Sequence, residues 1–92
     1  MSVENTLKDR ESKYGSFKDM AEIYDRLSDA FAGVNLTAAQ GVAIDMICVK
    51  LARIATGDPS LVDNWHDIAG YATLVEKEIT QHMIDTNFTK VN

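Results

Sequence analysis

The stretch from Thr37 to Gly57 constrains this chain more than any other part of it. Thr37-Ala38-Ala39-Gln40 is a capping box: the hydroxyl can accept from the Gln40 amide while the Gln40 side chain reaches back to the cap. Gly57 is a natural stop, so the spacing predicts a helix over 38–56. Ile44, Ile47, Leu51 and Ile54 recur at helical spacing on this segment, but Val42, Met46 and Val49 lie off that stripe. A helix that is apolar nearly all round is buried on more than one side. One side is expected to face the chain's own core and the other a second copy of the chain.

Size points the same way. A chain of 92 residues makes one domain, 1–92, and buries only about 60–65% of its unfolded surface. Small domains usually add disulfides, a metal or self-association. The lone cysteine, Cys48, has no partner within the chain and sits in an apolar run, where a thiol is usually a core residue. Two histidines, His66 and His82, are too few for a zinc site without carboxylates. Homo-oligomerisation is the remaining expectation.

The rest of the chain reads as three more helices. A charged segment over 2–12 carries Val3 and Leu7, and Lys13-Tyr14-Gly15 is expected to interrupt it. Ser16, with Asp19 three positions on, caps a helix over 17–32 that Gly33 ends. Asp58 and Pro59 suit an N-cap and first helical position, giving a fourth helix over 59–84 packed antiparallel to the third. Its expected core stripe includes Leu61, Trp65, Ile68, Ala72, Val75 and Ile79, and the polar tail over 86–92 is expected to fray. The fold class is all-α, a four-helix bundle-like domain.

A net charge of −5 argues against a general nucleic-acid binder, though local cations suffice for a small anion. No stretch is apolar enough to span a membrane and the N-terminus lacks a signal-peptide pattern, so a cytoplasmic setting is expected.

Three clusters could carry chemistry. Around Lys13, Tyr14, Gly15, Ser16 and Phe17, a glycine beside a helix N-terminus can leave amides free for a phosphate, with Lys13 and the Ser16 hydroxyl assisting and the aromatics stacking on a base. From spacing alone, the same residues read more readily as a helix connection with two aromatic anchors. Lys50 and Arg53 lie on one edge of an apolar helix, where a charge needs a partner. That partner is either a carboxylate on the fourth helix, Asp63 or Asp67, or a ligand phosphate. Asp63, Asp67 and Tyr71 share one helix face, and Gly70 permits close helix approach. A magnesium site would need converging carboxylates, for which Glu22 and Asp25, or Asp25 and Asp29, offer one pair and Asp63 and Asp67 another. No Glu-x-x-Glu occurs.

The blocks Arg10–Phe17, Asp45–Ile54, Gly57-Asp58 and Asp63–Ala72 together resemble a family of small phage and prophage domains. Relatives commonly carry His-Gly-Asp-Phe where this chain has Tyr14-Gly15-Ser16-Phe17, a departure that weakens a metal-dependent role for the loop. The family is distantly similar to the all-α nucleotide pyrophosphatases of the MazG type. That similarity implies helical oligomers with nucleotide sites between subunits. Glu22-Ile23-Tyr24-Asp25 matches only the second of the two magnesium motifs of those enzymes. Small helical phage proteins also include sponges that sequester cyclic nucleotide signals of bacterial immunity, as in CBASS. The resemblance therefore implies a protein that binds a nucleotide or cyclic dinucleotide between subunits without cleaving it. Lys13, Tyr14, Gly15, Ser16, Phe17, Lys50, Arg53, Asp67 and Tyr71 are the expected ligand-binding residues, and no cofactor is expected. The alternatives are a magnesium-dependent pyrophosphatase using Glu22, Asp25, Asp63 and Asp67, and an inhibitor that binds a host protein.

Overall fold

The computed structural model describes residues 2–91, with side chains described over 2–86. Four helices follow one another: α1 (Val3–Tyr14), α2 (Phe17–Asp29), α3 (Ala38–Thr56) and α4 (Val62–Val91), with no strand among the described residues. The all-α expectation holds, and α3 has the bounds its sequence predicts. Both arms of its capping box form, Gln40 N to Thr37 Oγ1 at 3.1 Å and Thr37 N to Gln40 Oε1 at 3.0 Å.

The other helices differ from expectation at their ends. α1 continues through Lys13 and Tyr14, and the interruption falls at Gly15, whose φ is 83°. α2 stops at Asp29, three residues early. Ala30, Phe31 and Ala32 then bond three residues back, at 3.2, 3.0 and 3.1 Å, in tightened turns before Gly33. α4 begins at Val62 and not at Pro59. The Asp58 carboxylate accepts from Ser60 N at 2.9 Å, so Asp58-Pro59 forms a turn ahead of the helix. Beyond the expected end near Met83 to Asp85, α4 continues to Val91, which takes in most of the tail expected to fray; Asn92 lies outside the described residues.

α3 is the element to which the others attach. It packs against α2 and α4, and its last turn meets α1. Its buried positions are small, Ala43, Cys48 and Ala52, so neighbouring backbones approach closely; Met20 of α2 completes the apolar core. Trp65, expected in that core, is 52% exposed, and its indole N–H donates to the Pro59 carbonyl at 2.8 Å. The carbonyl holds the ring at the surface, outside the helix interface. Gly70 is not a packing notch, since a Cβ there would meet nothing within 4 Å.

The chain is elongated, 61 × 27 × 23 Å, with a radius of gyration of 17.3 Å against about 12 Å for a compact domain of this length. No helix is long and apolar enough to cross a membrane among the described residues.

Candidate anion pocket

The C-terminal ends of α1 and α3 cross in direct backbone contact. Thr56 Oγ1 donates to the Tyr14 carbonyl at 3.0 Å, and Asp58 N donates to the Lys13 carbonyl at 3.1 Å. These bonds satisfy two of the carbonyls that a helix end leaves without partners. Glycine makes the crossing possible on both sides. A Cβ on Gly57 would lie 2.5 Å from the Tyr14 carbonyl carbon, and one on Gly15 would collide with the Thr56 backbone. Sequence reading treats Gly15 and Gly57 as helix stops; their shared role in this clasp depends on a contact between distant segments.

The clasp sets Tyr14 beneath Arg53. The Arg53 guanidinium lies 5.1 Å from the Tyr14 ring centroid, and Arg10, one turn earlier on α1, lies 5.6 Å from it. Both distances suit cation–π attraction. Neither arginine forms an ion pair among the described residues. Around them is a pocket of about 310 Å³, whose lining also includes Leu7, Glu11, Phe17 and Met20. Phe17 stands at the rim, 79% exposed. Arg10 is not among the residues expected at the site, although its i, i+4 spacing to Tyr14 makes the two neighbours on a helix.

Several other expected ligands lie elsewhere. Gly15 N–H donates to the Glu11 carbonyl at 2.7 Å, and Ser16 Oγ accepts from Asp19 N at 3.4 Å, so both serve the local helix ends and not a phosphate cradle. Lys13 points to Asp9 at 3.5 Å on the solvent side. Lys50, whose side chain is only 12% exposed, meets Asp67 at 2.8 Å. This is the carboxylate on the fourth helix that the sequence offers as one of two partners, and it supplies the counterion a shielded ammonium needs. The Lys50 hydrogen bond holds the Asp67 carboxyl below the usual carboxylate range, outweighing the opposing effect of burial. Tyr71 lines shallower depressions along α3 and α4, away from Tyr14.

The carboxylates named for magnesium do not assemble within the chain. Glu22 and Asp25 edge an open depression on α2, and Asp63 is exposed on α4. Among the described residues no three His, Cys, Asp or Glu side chains form a metal-holding group.

Sequence reading also misses Asn64. It is 1% exposed, and its Nδ2 has no hydrogen-bond partner among the described residues. The expected stripe of α4 runs through Leu61 and Trp65, one position away from the face that α4 turns inward.

A family model for a domain of unknown function, DUF6378, matches residues 2–79, from α1 to the middle of α4. The chain belongs to the DUF6378 family. No curated protein and no solved structure matches it. The matched span of this DUF6378 domain contains the clasp, the two arginines and the Lys50–Asp67 pair.

Proposed function

We propose that this DUF6378 domain binds a nucleotide-like anion in the α1–α3 pocket and sequesters it without cleavage. One observation carries the reading: two guanidiniums, neither in an ion pair among the described residues, converge on one tyrosine ring at the wall of a pocket. Arg10 and Arg53 hold the phosphate, since planar guanidinium donors match phosphate oxygens. Tyr14 fixes the two arginines, and exposed Phe17 offers a face on which a base can stack.

Charge narrows the class. Two arginines and Glu11 leave the pocket with one net positive charge, which suits the single negative charge of a phosphodiester better than a triphosphate. The volume, about 310 Å³, is at the lower end for small-ligand sites and suits one nucleotide or one half of a cyclic dinucleotide. A cyclic dinucleotide held through one of its two phosphodiesters fits both the charge and the resemblance to sponges. Capture of such a signal in the cytoplasm of a phage-infected cell belongs to the same proposal, as does a homo-oligomeric state.

Calorimetry with nucleoside mono- and triphosphates and 3′,3′-cyclic dinucleotides tests this reading. Binding of a phosphodiester, lost in Arg10→Ala and Arg53→Ala and recovered intact by chromatography after incubation with magnesium, is the expected result. Silence across the panel refutes binding. Release of pyrophosphate would replace sequestration by hydrolysis.

A further inference from the structure

We infer that the second half of α4 is the docking site for a second copy of this chain, joined antiparallel through α4 about a two-fold axis near Ile79. This inference concerns a surface distinct from the anion pocket.

The first observation is area. The protomer exposes 6930 Å², whereas a compact monomer of 10.2 kDa exposes about 5,300 Å². The excess, about 1,600 Å² per protomer, is of the size each subunit buries in an obligate homodimer.

The second observation is an apolar stripe on the part of α4 that runs past α3. Lys50 stands against Asp67, so the antiparallel register places Ala38, the first residue of α3, level with Ile79. Residues 80–91 of α4 therefore project beyond α3 by about 18 Å. Helices carry apolar side chains to bury them, yet Ile79 is 43% and Met83 58% exposed. Val75, Ile79 and Met83 follow one another at four-residue spacing, on one face of α4. Together with Thr37 and Gln40 at the start of α3, they line a groove of about 660 Å³.

The third observation is that this stripe complements itself. Antiparallel pairing about Ile79 brings Ile79 onto its own copy and Val75 against the Met83 of the second copy. Ala72, which is small, comes level with Thr86, and Glu76 comes level with His82. A two-fold interface must be self-complementary in this way. No like charges are brought level. The Met83 side chain of each copy enters the groove beside Val75 of the other.

The test is the mass of the full chain in solution and a crosslink across the axis. Sedimentation equilibrium is expected to give twice the 10.2 kDa chain mass, and Ile79→Lys is expected to give the single-chain mass. Loss of the dimer could also unfold the variant, so a second measurement uses Ile79→Cys in a Cys48→Ala background. Oxidation should join nearly all of it into a covalent dimer, while Val62→Cys, at the far end of α4, should remain single. A wild-type chain that stays monomeric overturns the proposal and leaves the groove to a different protein. A dimer that oxidation of the Ile79→Cys variant does not crosslink, or that Ile79→Lys leaves intact, overturns it equally. Nucleotide binding can fail while these results hold, and the reverse, so the two proposals are judged separately.

Discussion

Replacing Gly15 by alanine should undock α1 while leaving α2, α3 and α4 in place. Gly15 has φ 83° and ψ −175°, a region open essentially only to glycine, and alanine there costs about 1–3 kcal/mol. The new Cβ would also collide with the Thr56 backbone, so the two helix ends must separate. Separation breaks the Thr56–Tyr14 and Asp58–Lys13 hydrogen bonds, each contributing about 0.5–1.5 kcal/mol. The combined loss is about 2–6 kcal/mol. Nothing in α1 is buried to offset it. Even about 2 kcal/mol shifts docking by about 30-fold. A detached helix of 12 residues is marginal in water, so its amides should exchange freely. Hydrogen exchange read by mass spectrometry should show residues 3–14 losing protection while residues 43–52 keep theirs. Gly33→Ala is the control. Gly33 shares the φ of 83° but a Cβ there meets nothing within 4 Å, so only the conformational penalty, about 1–2 kcal/mol, applies. If Gly15→Ala leaves α1 as protected as in the wild type, the clasp does not hold α1 and the reasoning fails.

Other substitutions probe the packing between helices. Asn64→Leu removes a buried amide without a partner at modest change in volume, so Tm should rise by the equivalent of about 1–3 kcal/mol; a fall in Tm would mean that the amide is satisfied. Asp67→Asn should destabilise the protein at neutral pH by leaving Lys50 shielded and unpaired. The Asp67 carboxyl titrates below its ordinary value of 3.8 in the folded protein, so its stabilisation is fully present above that value and is lost as pH falls through the lower folded value. Acid denaturation curves should therefore lose part of their slope below pH 3.8 in Asp67→Asn, and an unchanged slope would contradict the pairing. Cys48 is 3% exposed, and burial followed by the Asp45 charge raises its thiol pKa. Ellman's reagent should react with it only after denaturation, and fast reaction with the native protein would place it at the surface.

How much of the structure is legible in the sequence depends on how local the physics is. α3 can be read to the residue because its cap lies in four consecutive residues and Gly57 closes it. Asp58-Pro59 cannot, because the same pair suits a helix start or a turn. The turn prevails where Asp58 N is drawn to the Lys13 carbonyl, a contact between segments far apart in the chain. Trp65 has core spacing but follows a hydrogen bond to Pro59. Among the expected site residues, the need of Lys50 for a partner is legible and the choice of Asp67 is not. The Tyr14–Arg53 stack likewise exists only once α1 and α3 cross. Arg10 can be found from its one-turn spacing to Tyr14, but only if the first helix is read through to Tyr14.

The most direct measurement follows the side-chain Nε–H resonances of arginine in ¹⁵N-labelled protein as a 3′,3′-cyclic dinucleotide is added. The chain has three arginines, and Arg26, exposed on α2 and outside the pocket lining, serves as an internal reference. Anion capture at the pocket predicts that the Arg10 and Arg53 resonances move together and saturate while that of Arg26 stays in place. Movement of all three in proportion, or of none, would contradict it.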